Sequence, residues 1–522
     1  MISMLPRTTQ ITCLTVSKLW QTHILKCETV WQNISIDNSN HDTRLLDIFQ
    51  DIAPYTIYLT LDTDKDEALA KLFWYMQRKC FKKIQLLKIT DCASKTLQRN
   101  IITATIAFRK TKHTLTTLDI SVGNTLGEVT ITQVLQLFPA ITKLVFSTEL
   151  SMQSTFEPFS INAGVHPLID LELNGKSITG NHIEPILQQC LKLQRLVLHG
   201  ADESTVLNTL VRNNNMLSDL EILLLNPIGG YPPVPLLQDL TTNQWNLHGL
   251  RILHTSNGGN PIPILDLMPI IYQNRKTLEN LFPHTTEIGP TQLQRLHATY
   301  SDFKLWNITH ITLWLGNIDT QEFWLRYIQN STTLIHLELA GVPDIQLLVD
   351  TLLSIPSISS LGISHVSDTS IRSGLIQLFD RQIQLTKKSR PSWKSIMLRY
   401  CDAVDDEILT KLENITTLQE IWIAKLVNIS YSTFSQFMNG LSNRLTKVVL
   451  EKMDFVDENM MISLGNIETL FSVKLIKLER VTDQGIQSLV IRKATTISKL
   501  TELIVDACPS ITQECIIYVK KK

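Results

Sequence analysis

None of the eight cysteines (Cys13, Cys27, Cys80, Cys92, Cys190, Cys401, Cys508 and Cys515) forms a C-x-x-C pair, which removes zinc ribbons and dithiol redox motifs. Spread over 522 residues, they suit reduced thiols of the cytoplasm or nucleus, not a disulfide framework. No apolar run reaches the roughly 18 residues of a membrane span. Arg7, Gln10 and Lys18 break up the opening segment, so no leader is expected. Sequons such as Asn33-Ile34-Ser35 then carry no weight. An excess of either charge is also missing: 48 Lys and Arg against 49 Asp and Glu leave a formal −1. That balance argues against nucleic-acid binding by bulk charge and against a polybasic membrane anchor.

Reactive motifs are absent too. There is no G-x-x-x-x-G-K-[ST], no H-E-x-x-H and no G-x-S-x-G. The one Gly-rich piece, "SNGGNPIP" at 256–263, reads as a turn, because Pro261 and Pro263 are expected to bar a phosphate-facing helix N-terminus. Thirteen histidines are dispersed, and only His310 and His336 are expected to be neighbours. Two histidines without a third ligand make a polar surface more readily than a metal site. No enzyme activity, cofactor or metal is expected.

What the chain does have is a phrase. Apolar-x-x-apolar-x-apolar recurs in sixteen copies, from Ile84/Leu87/Ile89 to Leu500/Leu503/Val505. Between them it passes through Leu193/Leu196/Leu198, a weak copy at Leu247/Leu250/Ile252, Leu334/Leu337/Leu339 and Leu445/Val448/Leu450. Fifteen steps from 84 to 500 average near 28 residues, the longest being 35, from Ile358 to Trp393. A core of one globular domain rarely grows past about 250–300 residues, so a chain this long with such a period reads as a repeat array.

Alternation over a few residues makes a short strand with one buried face. A turn and a helical pattern follow. In "CDAVDDEILTKL" Asp405 or Asp406 can cap a helix that buries Ile408, Leu409 and Leu412; "VTDQGIQSLV" repeats this with Asp483, Ile486, Leu489 and Val490. "LTKKSRPSW", inside the longest step, reads as a solvated basic loop. Three residues past the third apolar site stand Cys92, Cys401 and Cys508, or an apolar residue such as Val366, Met453 or Leu478. "LIVDACPSIT" and "IMLRYCDAVDD" resemble the cysteine-containing leucine-rich repeat, whose cysteines are small buried packers. The expected fold is an α/β leucine-rich-repeat solenoid over 84–522. It would be a horseshoe with parallel strands on the concave face and helices on the convex face.

The front end differs. "LPRTTQITCLTVSKLWQTHILKCETVWQNISI" resembles the second half of an F-box: Leu5-Pro6 match its loop, Val16, Lys18 and Trp20 its helix signature, and Val30, Trp31 and Ile34 its closing element. Only Met1–Met4 could represent the helix that precedes that loop in the family, so the module is expected to be truncated, or its start to lie upstream. Residues 1–36 are read as an F-box-like helical cap and 37–83 as irregular capping repeats, in which "PYTIYLTL" supplies a strand and "VWQNISI" fits the repeat phrase as well. The alternative is that Trp20 and Trp31 merely plug the open end of the stack.

The resemblance implies a non-enzymatic substrate receptor of an SCF-type cullin–RING ubiquitin ligase, cytoplasmic or nuclear. Leu5, Pro6, Val16, Lys18, Trp20 and Trp31 would meet the adaptor subunit that joins it to the cullin, and the repeats would hold a protein substrate. The alternative is an interaction scaffold with no ligase role. Neither nucleic acid nor membrane is an expected partner, and outside the complex the chain is expected to be a monomer. The x residues of the phrase should face away from the core, among them Arg195, His336, Glu338, Met397 and Trp422. Exposed aromatics and cations make good anchors, so Tyr400, Trp422, Phe471, Lys394 and Lys447 are the candidate substrate surface.

Overall fold

The repeat phrase becomes strand at every copy but the weak one at 247–252, where the strand lies three residues later. A computed structural model of the chain describes residues 17–36, 48–62, 74–75, 78, 80–92, 114–122, 131–151, 166–213, 217–227, 248–255, 261–329, 331–367, 371–388, 390, 392–494, 500–512 and 514–515. They divide into two compact units, Met1–Asn274 and Arg275–Lys522.

Among the described residues, unit 1 carries β1 (Asn33–Ile36), β2 (Tyr58–Asp62), β3 (Leu86–Cys92), β4 (Thr117–Val122), β5 (Lys143–Ser151), β6 (Asp170–Ile178), β7 (Arg195–Ala201), β8 (Ile222–Leu225) and β9 (Ile252–His254). Each is parallel to its neighbour in chain order. Unit 2 carries β10 (Asn280–Phe282), β11 (His310–Trp314), β12 (His336–Ala340), β13 (Ser360–Val366), β14 (Ser395–Cys401), β15 (Glu420–Ala424), β16 (Lys447–Glu451), β17 (Ser472–Ile476) and β18 (Glu502–Asp506), again parallel and in order. Each unit is therefore a leucine-rich-repeat solenoid segment of the α/β class.

The phrase works by burial. Leu334, Leu337, Leu339, Leu445, Val448 and Leu450 are all fully buried. Each such side chain removed from water stabilises the stack by about 1.5–3 kcal/mol. The helices return the chain. Asp405 accepts the Ile408 N–H at 3.1 Å and caps the helix Asp406–Glu413, which buries Ile408, Leu409 and Leu412 as expected. In the helix Asp483–Ala494, Ile486 and Leu489 are buried and Val490 only partly. The cysteine position is a core position: Cys401 and Cys508 are buried, and burial pushes the Cys401 thiol up to about 12.

Several expectations need correction. The weak copy is Leu250/Leu253/Thr255, not Leu247/Leu250/Ile252, because Leu223 pairs with Leu253 in the sheet. A helix, Ile264–Gln273, does begin directly after Pro263. Proline is tolerated there because the first-turn N–H groups have no intrahelical partner to lose. The longest step accommodates the longest described helix, Arg372–Lys387, so "LTKKSRPSW" starts as its last turn and ends on buried Trp393. Some outward positions are not exposed: Arg195, Glu338 and Met397 are 1%, 4% and 6% exposed.

The strands begin at β1, inside the segment read as helical cap. Two short helices, Lys18–Leu25 and Glu28–Trp31, lead straight into it. Trp31 is fully buried with Ile24 and Val30, and its indole Nε1 donates to the Ile24 carbonyl at 2.8 Å. The N–H groups of Ile57 and Tyr58 donate to the Gln32 carbonyl, both at 2.9 Å, and fix the turn into β1.

Candidate functional site

Positions one, three and five of each strand in unit 2 project from the face opposite the leucine core. Register sets which of them meet. Met397, Trp422, Val449 and Lys474 occupy one row across β14 to β17, and Arg399, Ala424 and Glu451 part of the next. Ala424 ends in a methyl group. Arg399 therefore reaches over β15, and its Nη2 donates to Glu451 Oε2 at 3.4 Å. On the way its guanidinium lies 4.5 Å from the centre of the Trp422 ring. Tyr400 is the penultimate residue of β14, and its hydroxyl donates to Glu451 Oε1 at 3.3 Å. One buried carboxylate, 7% exposed, thus holds a cation and a phenol in place, while the cation covers an indole.

Tyr400 is turned into this position by its backbone. It has φ 53°, in the left-handed region. The residue two past the third apolar site takes that conformation repeatedly in unit 2: His365, Tyr400, Lys425, Lys452, Lys477 and Ala507, with Gly341 in the β12 copy. The N–H groups of Lys425, Lys452 and Lys477 donate to the carbonyls of Glu451, Ile476 and Asp506 on the following strand, at 3.0, 3.0 and 2.9 Å. The left-handed turn is what aims each N–H sideways. Its side chains stand in a row at the ends of the strands. His365 stacks on Tyr400 with centroids 4.8 Å apart and planes 8° apart. Trp314 reaches His365 at 5.4 Å by passing over Gly341, which has no side chain to block it.

The structure brings Trp422 and Tyr400 together and puts Lys447, which is exposed, on the same face at the first strand position. Lys394 and Phe471 do not join them. Both sit one residue ahead of their strands, at the entering turn, about 20 Å from the left-handed row at 3.3 Å per residue. Phe471 is 43% exposed there. Arg399, Glu451, His365 and the lysine row were missed by sequence reasoning; superposing the copies two residues past the third apolar site would have exposed the row.

His310 and His336 are indeed neighbours, paired in register on β11 and β12 with rings 5.6 Å apart. His336 Nδ1 lies 2.7 Å from the Ser360 hydroxyl, and burial, helped by the nearby His310, pushes its pKa down to about 4. Among the described residues no group of three or more His, Cys, Asp or Glu is placed to hold a metal ion. No helix among them is long and apolar enough to cross a membrane.

At the front end, Lys18 is exposed on the helix Lys18–Leu25, beside Leu19 at 66% exposure. Trp20 lies in that helix, its side chain outside the described residues, as are Leu5, Pro6 and Val16. Trp31 presents no surface.

No family model matches the chain. No curated protein matches it either. Among solved structures it is similar to TLR13, determined as a complex with ssRNA13, at 16% identity and a TM-score of 0.37. The match covers 92% of this chain, which spans 57% of the length of that one.

Proposed function

We propose that the chain is a non-enzymatic protein-recognition subunit: a substrate receptor of an SCF-type cullin–RING ubiquitin ligase, soluble in cytoplasm or nucleus. The strand face of unit 2 holds the protein substrate through Trp422, Tyr400 and Lys447. The helical front piece, a reduced F-box at the head of 1–36, holds the adaptor, and the cysteine-containing repeats from 84 onward serve as scaffold.

The observation that carries the ligase half is the front piece itself. Two short helices are welded to β1 without a linker, Trp31 seals them from inside, and Leu19 and Lys18 face out. Sealing and docking are thereby divided between residues of one segment. Lys83 pairs with Glu28 at 3.1 Å and ties the second helix to the repeats, though half-exposed pairs of this kind add little stability.

Co-precipitation of the full chain with adaptor and cullin tests the reading. Leu19→Asp should abolish adaptor capture and leave the fold intact, whereas Trp422→Ala should leave adaptor capture unchanged. Failure of the wild-type chain to capture adaptor removes the ligase role and leaves a plain interaction scaffold.

A further inference from the structure

The left-handed position requires a backbone conformation, not a charge. Glycine, histidine, tyrosine and alanine all occupy it in unit 2. Yet three consecutive strand ends, after β15, β16 and β17, carry lysine, at φ 44°, 50° and 51°. A non-glycine residue there costs about 1 kcal/mol. Like charges stacked on neighbouring strands cost a further few tenths each. Among the described residues no ion pair offsets this. Ion pairs of unit 2 join Arg275 to Asp302, Arg372 to Asp405 and Glu407, Arg399 to Glu451, and Lys411 to Asp380. None takes Lys425, Lys452 or Lys477.

The three lysines line a groove of about 600 Å³ with Arg480, and Val427 and Phe455 give it an apolar wall. Asp454 and Glu479 also line it, so four cations stand against two carboxylates in a chain whose net charge is −1. Val427 is 62% exposed. At the near end the Lys425 and Lys452 ammonium groups lie 5.9 and 5.4 Å from the Tyr400 ring centre. The groove thus adjoins the Tyr400–Glu451 cluster.

We propose that this groove binds an acidic segment of a partner protein, with Asp or Glu carboxylates on the lysine row and an apolar side chain against Val427 and Phe455. The proposal deepens the recognition role assigned above to the unit 2 face and rests on it. Single-stranded nucleic acid fits less well. Base stacking needs free aromatic faces, and Tyr400 has His365 stacked against its ring and two lysines beside it. A phosphorylated segment would favour the planar fork of arginine, and only Arg480 supplies one.

The test is fluorescence anisotropy of the purified full chain with a labelled peptide built of Glu-Glu-Leu repeats. Saturable binding that weakens with added salt is expected. The triple variant Lys425→Gln/Lys452→Gln/Lys477→Gln should weaken it at least about tenfold, the equivalent of about 1.4 kcal/mol. Lys452→Gln alone, with an unchanged melting curve, should weaken it measurably. Absence of binding, equal binding by the triple variant, or tighter binding of a phosphoserine peptide or a single-stranded RNA of equal charge overturns the proposal. Adaptor capture by the triple variant is the separate control: it is expected to persist, and a wild-type chain that captures adaptor but binds no peptide sinks the groove and leaves the ligase reading standing.

Discussion

His336 is a base held neutral, and the sign of its effect follows. Its folded pKa near 4 lies below the ordinary 6.5, so between those values the unfolded chain binds the proton more readily. Stability is then full above pH 6.5, falls as pH drops from 6.5 to 4, and levels off below. The loss reaches about 3 kcal/mol at most. Urea titrations across that range should show the decline, and His336→Asn should make it shallower; an unchanged slope would show that other groups set it. Glu451 is the second decisive residue. Replacing it by alanine removes the carboxylate to which both Arg399 and Tyr400 donate at a largely buried place. Glu451→Ala should lower stability by about 1–3 kcal/mol. It should also reduce binding of a unit 2 ligand by more than Lys447→Ala does, because Glu451 positions both Arg399 and Tyr400.

At the scale of elements, several helices of unit 2 stand on one capping residue. Asp457 accepts the Met460 N–H at 3.1 Å at the start of Glu458–Gly465. Asp457→Ala should cost about 1 kcal/mol in thermal unfolding, with the strand-face residues undisturbed. Gly180 opens the helix Gly180–Gln189 against the next one, Glu203–Arg212. A Cβ there would fall 2.3 Å from the Thr205 carbonyl oxygen and 2.1 Å from Thr209 Oγ1. Alanine raises helix propensity by up to about 1 kcal/mol, but overpacking against backbone costs about 1–3 kcal/mol. Gly180→Ala should therefore destabilise unit 1, and a gain in melting temperature would refute the close approach. The Asp405 cap was legible in the sequence, standing just before an apolar helical stripe; Asp483 is not a cap, because it is the first helical residue and its carboxylate accepts from the Thr512 N–H and hydroxyl instead. The Gly180 contact was not legible, because it depends on how close two consecutive helices lie.

For the whole molecule, stability is a chain of neighbour terms, since each repeat packs only on those beside it. Ile423 is fully buried in β15. Ile423→Ala should cost about 2–5 kcal/mol, with amide exchange rising in β14, β15 and β16 and little changed in β10 and β11. Uniform loss of protection across unit 2 would mean it unfolds as one block. The returning leucines determined the strands, their order and their buried face, because alternation is a local property that any stack of such units must satisfy. They also determined the two extra strands at the front, through Ile34 and "PYTIYLTL". Tertiary structure alone decided which outward residues meet. Arg399 finds Glu451 across 52 residues of chain because Ala424 leaves room between them, and Phe471 misses Trp422 because it precedes its strand, three residues before the Trp422 row and two strands away. Those outcomes turn on register and on the size of the intervening side chain, which a periodic pattern does not encode.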